Sequence, residues 1–432
     1  MTVNVAATVD NGERAREALR LVQVEPGRAV RIAAASSRRA REEGDCATAA
    51  VAERALGLAA LHVADLDTAV RHLRTAIAFA RRAGSAELAA EARMTLAFAL
   101  NRRGNAQRAI REIDAALGDL GTLARARALA QRSAILQQLG RLDEALAGYR
   151  TALPVLRRSA DGEWVQRVLL NRGVLHAFRH AYSAAVKDLC EAERLCEELG
   201  LRLPAAFVQE NLGFVASRLG DVPTALHHLD TAAQRYRSVG APIGSLLVER
   251  SELLLSVCLV AEAREAAQQA VVEFERTKRG LTRPEARLLL ARTAVLDGEP
   301  ALALQSARQA LREFRRQDRQ EWVPLARFAV LTARLQTDPS PRVSVGDLDA
   351  VASALQDAGW FAAALDARLL AGRRGLAVTG KARVAGRRQL EVVSRARRSG
   401  TAAPRARAWY AEGLLRRDDG NLPASSAAAM AG

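Results

Sequence analysis

Small apolar residues recur along this chain at a spacing far longer than a helical turn. The stretch GDVPTALHHLDTA, residues 220–232, sets the pattern: Gly, Ala five residues later, and a second Ala seven beyond that. The same placement returns as Gly104/Ala109/Ala116, Gly140/Ala145/Ala152 and Gly298/Ala303/Ala310. Where Gly is replaced the alanines persist, as Ala69/Ala76, Ala185/Ala192 and Ala263/Ala270. The Gly-equivalent positions are 64, 104, 140, 180, 220, 258 and 298, spaced by 40, 36, 40, 40, 38 and 40 residues. Between the two alanines, on the same helical face, stands a large residue: Leu73, Ile113, Tyr149, Leu189 and Leu229.

Each feature has a physical reading. Gly closes a helix because it accepts the left-handed conformation at a C-terminus. Two small residues on the next helix let that helix approach its predecessor closely. Upstream small residues answer them, in Leu56-Gly57, in Leu212-Gly213 and in Gly173. The prediction is an all-α, right-handed superhelical solenoid of antiparallel helix pairs with a period of about 40 residues. Composition agrees: hydrophobic residues make up 49% and aromatics 4%, the bulk being Ala and Leu among Arg and Glu, all good helix formers. No convincing strand is visible.

The phase sets the expected boundaries. Residues 1–46 read as a degenerate first pair (Ala29 and Ser36 keep the register), and 47–335 as the regular array. Residues 336–346 form a break, with Pro339 and Pro341 against a continuous helix. Residues 347–417 read as basic helical repeats, with register returning at Gly380 and Ala385. Residues 418–432, including GNLPASSAAAMAG, read as an incomplete repeat or frayed tail, a poor cap for an array.

The net charge is +16, carried by Arg except at Lys187, Lys278 and Lys381. Fourteen of these cations, against three acids, lie between Gly359 and Arg417. Such a stretch could hold nucleic acid or an acidic partner, although solvated helix faces would look the same. Four Cys without a CxxC pair point to a reducing compartment. There is no signal-peptide pattern and no long apolar run, so the expected location is cytoplasmic, with no membrane contact.

Apparent chemistry dissolves on inspection. GLAVTGKA, 375–382, approaches a phosphate loop, but Ala382 replaces the hydroxyl residue and Gly380 already belongs to the repeat. His176 and His180 lack further ligands and a catalytic Glu, and Cys190 and Cys196 lie on different sides of one helix. The expectation is no enzyme, no metal and no cofactor.

A binding face is more plausible. With the turn Gly as position 15, position 6 of the first helix faces the concave side, and in three successive repeats it is Gln131, Asn171 and Asn211. Carboxamides both donate and accept, so such a row can grip an extended peptide backbone. Arg127, Arg167 and Phe207 at position 2, Phe214 at position 9, and Phe178 and Arg218 at position 13 complete the expected site. The expected partner is a protein or peptide with acidic and apolar side chains.

The repeats resemble the tetratricopeptide family, whose usual period is roughly 34 residues. With the Arg/Ala-rich helices and the stretch RARAWYAEGLLRRDDGN (405–421), they also resemble the N-terminal array of actinobacterial CHAT proteins. There the repeats precede a caspase-like protease. That resemblance implies a regulatory or sensing array, while the protease with its catalytic His and Cys has no counterpart in this sequence.

Overall fold

The computed structural model describes residues 5–22, 24–277, 280–337, 343–379 and 409. Among the described residues there are nineteen α-helices and no strand. The chain divides into two compact units, Met1–Arg235 and Tyr236–Gly432.

In the first unit α1 (Val5–Leu21) pairs with α2 (Pro26–Glu43), α3 (Cys46–His62) with α4 (Leu66–Arg82), and α5 (Ala86–Arg102) with α6 (Ala106–Asp114). Next come α7 (Thr122–Gln138) with α8 (Leu142–Arg158), and α9 (Gly162–Phe178) with α10 (Tyr182–Glu198). Then follow α11 (Arg202–Leu219) and α12 (Val222–Ser238). The second unit holds α13 (Gly244–Ser256) with α14 (Val260–Arg276), and α15 (Arg283–Leu296) with α16 (Pro300–Arg316). It continues with α17 (Val323–Thr337), α18 (Val345–Asp357) and α19 (Phe361–Thr379). The proline-bearing residues 338–342 lie outside the described residues, as do residues 380–408 and 410–432, with the later part of the expected basic repeats and the final partial repeat.

All seven positions picked out by the Gly pattern have positive φ: Gly104, Gly140, Gly220 and Gly298, and equally Ala64, His180 and Cys258 near 60°. A second series marks the return turns, at Gly44, Gly84, Ala160, Gly200, Gly240, Asp318 and Gly359. After each of these residues the next N–H reaches back five residues. Asp65 donates to the Ala60 carbonyl at 2.9 Å and Ser85 to that of Ala80 at 3.0 Å. This Schellman arrangement satisfies carbonyls that the helix end leaves open. The same residue then starts the next helix: the Asp45, Asp65 and Ser85 side chains accept from the N–H groups of Thr48, Thr68 and Leu88.

The large residues expected between the alanines are knobs in the core. Leu73, Ile113, Tyr149 and Leu189 are fully buried, and Leu229 nearly so. Gly57, Gly173 and Gly213 receive Leu73, Leu189 and Leu229: a Cβ on Gly57 would lie 2.6 Å from Leu73. The short spacing of 36 falls on α6, which has nine residues where α4 and α8 have seventeen.

The two helix series differ in their neighbours. Odd-numbered helices pack on the next odd-numbered one from α1 to α11 in the first unit and from α13 to α17 in the second, while α2, α4, α6 and α8 do not pack comparably on the next even one. Within each unit these odd helices therefore form an inner layer with the even helices behind it.

Candidate peptide-binding groove

Side chains that connect odd helices define the inner face of the first unit. Arg54 of α3 bonds Glu91 and, at 3.3 Å, Thr95 on α5. Arg102 of α5 reaches the Leu61 carbonyl of α3 at 3.0 Å. Gln131 of α7 donates through Nε2 to the Met94 carbonyl of α5 at 3.1 Å. The sequence-derived positions fall on this layer, from α7 to α11.

The three amides have different surroundings. Gln131 ties two helices together, as described. Asn211 donates from Nδ2 to the Phe207 carbonyl one turn earlier on its own helix, at 2.7 Å. Asn171 is half-buried on α9, next to Tyr149, the buried knob of α8, whose hydroxyl donates to Oε1 of Gln137 at 3.1 Å. Burial pushes the Tyr149 phenol far up, and the Asn171 contact pulls against that shift, so the hydroxyl stays protonated.

Around the amides the structure brings Phe178 and Phe214 into contact, ring centroids 6.0 Å apart and planes 53° to each other. This tilted geometry suits two aromatic quadrupoles. Phe178 is 58% exposed and Phe207 43%. Arg167 is exposed, with its guanidinium 4.7 Å from the Trp164 ring centroid, and Arg218 is exposed at the end of α11. Arg127 instead turns to Asp161, 2.7 Å away, which leads into α9.

Phe98, 44% exposed on α5, occupies the same repeat position as Phe214. Sequence reasoning passed over it, although counting six residues back from Gly104 would have found it. Trp164 had no such signal, because its role arises from its contact with Arg167, not from period.

The other candidates are structural. His176 is 3.9 Å from Asp188, but that carboxylate is held by Arg172 through two bonds of 2.6 and 2.7 Å. Burial and the neighbouring Arg172 hold His176 below its ordinary value, Asp188 opposing them. Cys196 is buried, its thiol pushed up to about 11 by burial, which makes it a poor nucleophile. No group of three metal-ligating side chains exists among the described residues. Residues 375–379 of the phosphate-loop look-alike continue helix α19, and 380–382 lie outside the described residues. No helix among the described residues is long and apolar enough to cross a membrane.

No protein-family model matches the chain, and no curated protein does. Solved structures do. The apo form of the quorum sensor NprR from B. thuringiensis aligns with a TM-score of 0.57 at 12% identity, over 73% of this chain and 90% of that one. A signal transduction ATPase with a tetratricopeptide repeat sensor, from Pyrococcus horikoshii, aligns at 0.56 and 11% identity over 79% of this chain. The fold is tetratricopeptide-like. The chain spans about half the length of that ATPase, 52% of it. A Rap protein complexed with competence and sporulation factor aligns at 0.54 and 12% identity, over 76% of this chain and 98% of its own.

Proposed function

We propose that this protein is a non-catalytic interaction array that captures an extended peptide, or an extended segment of a partner protein, on the inner face of α7, α9 and α11. The observation that carries the reading is the contact between exposed Phe178 and half-buried Phe214, with exposed Phe207 on the same helix as Phe214, on a layer whose other apolar side chains are mostly buried. Exposed aromatic side chains are costly in water and serve well as anchors. Gln131, Asn171 and Asn211 supply backbone contacts. Arg167 and Arg218 supply the preference for acidic side chains, while Arg127 is held by Asp161. The regular array 47–335 is the repeat-bearing body of this assembly. A fold shared with a quorum sensor, with a Rap protein in complex with a factor, and with the sensor of a signal transduction ATPase supports a sensing role.

A regulatory array acting on a separately encoded CHAT-type protease is the finer form of this reading. It rests on residues 405–421, which apart from Trp409 lie outside the described residues. A nucleic-acid role for 359–417 rests on charge alone, and Arg368 within it bonds Gln356 at 2.6 Å.

The test is panning of displayed random peptides on the full chain, followed by anisotropy with the labelled winner. Replacing the exposed Phe178 and Phe207 together by Ala should weaken binding at least about tenfold, with the thermal midpoint little changed. Panning that returns no peptide, or a winner indifferent to the double substitution, overturns the groove.

A further inference from the structure

One partly exposed repeat position stays apolar from α3 to α11. It lies six residues before each left-handed turn residue and holds Leu58, Phe98, Ala134, Val174 and Phe214. The equivalent residues of the second unit are charged, Glu252 on α13 and Arg292 on α15. The position belongs to the inner layer, because there Phe214 meets Phe178 of the preceding inner helix. Side-chain size along the row is uneven. Ala134 and Val174 are short and half-buried, with Phe98, 44% exposed, on one side of them and the Phe178–Phe214 pair on the other. Short side chains between tall ones leave a trough with an apolar floor and aromatic ends. The ends differ in charge. On the helices that carry the pair, Arg167 and Arg218 are exposed and make no ion pair among the described residues. On α5 the layer occupies its own charges: Glu91 is held by Arg54, and Arg102 donates to the Leu61 carbonyl.

We infer that the binding face reaches back to α5 and takes an extended segment with two apolar anchors. One anchor lies against Phe98 and the other against the Phe178–Phe214 pair, and the acidic side chains of the segment lie at the second end. This rests on the groove reading above and adds to it a length and a direction. Two inter-helix steps separate α5 from α9, at roughly 8–10 Å each, and extended chain advances about 3.3 Å per residue. The anchors are therefore about five to six residues apart. A shorter peptide holds only one end. Between the anchors, Ala134 and Val174 leave room for the side chains that point down.

The test pans displayed random peptides of about twelve residues, twice that span, on the full chain. Winners should carry an apolar residue about five to six positions from a cluster of acidic and apolar ones. Anisotropy then compares the winner with a copy whose neutral-end apolar residue is Ala. Phe98→Ala should weaken the winner about fivefold to tenfold and leave the Ala copy unaffected, and Phe98→Leu, which keeps an apolar wall, should recover part of the loss. Replacing Phe178 and Phe207 together by Ala should weaken both peptides. A winner that responds to this pair of substitutions but not to Phe98→Ala overturns the extension to α5 and leaves the groove standing. An equal loss for both peptides in Phe98→Ala also overturns the extension, because the substitution then acts through the fold of the layer. Panning that returns nothing, or a winner indifferent to every substitution, overturns the groove reading and the extension with it.

Discussion

Glu53 is 2% exposed and brings a carboxylate into the interior where α2, α3 and α4 meet. It accepts from Ser37 Oγ at 2.6 Å and Arg41 Nη2 at 2.5 Å, and lies 2.7 Å from His72 Nδ1. Burial alone would raise its pKa, but the hydrogen bonds from His72 and Ser37, with the charges of His72 and Arg41, bring it below the ordinary value. A carboxyl depressed in the folded state stabilises the fold fully above its unfolded value, about 4.3. That contribution disappears as pH falls through the lower folded value. Urea unfolding midpoints should therefore drop on acidification below about pH 4.3. Glu53→Gln should cost about 2 kcal/mol at neutral pH and flatten the acid limb. An equally steep limb in the variant would show that other carboxyls govern it.

Helices set the next scale, and α8 carries an internal contradiction. Pro154 lies inside it, on an exposed face. It has no N–H for the Arg150 carbonyl, and its ring crowds that turn. Pro154→Ala should raise stability by about 2 kcal/mol, the helix penalty of proline less its restriction of the unfolded chain, seen as a higher thermal midpoint. The turns between helices were legible in sequence wherever the Ala pair of the following helix marked them, even where Ala64, His180 or Cys258 replaces Gly. The return turns were not, because odd helices carry no such pair, and Ala160 and Asp318 give no hint of a left-handed backbone. For the groove, period located the amides but could not supply their partners. The bond from Gln131 to the Met94 carbonyl runs from one repeat to the one before, across a distance in sequence that no periodicity encodes.

At the scale of the molecule each repeat is tied to its neighbours. In the first unit Arg54–Glu91, Arg127–Asp161 and Arg157–Glu191 bridge successive repeats, and in the second Arg264–Asp297 and Arg319–Glu285 do so. Such pairs contribute about 0–1 kcal/mol each, and in a one-dimensional array their loss acts locally. Arg127→Ala should speed amide exchange in α7 to α9 while leaving α3 and α4 as protected as before. Exchange rising uniformly through the first unit would mean that the unit opens as one cooperative body.

Inner and outer helices alike hand over through the same left-handed turn at fourteen junctions among the described residues, and within each unit the odd helices stack chiefly on their own kind. The chain therefore obeys a rule of parity. Gaining or losing two consecutive helices leaves every later side chain on its original face. Gaining or losing one would turn each following inner surface outward and dismantle any groove beyond it. A shortfall inside a helix, such as that of α6, leaves the parity intact, and α7, α9 and α11 keep their place in the inner layer. Length within an element is negotiable in this architecture, whereas the number of elements can change only by even steps.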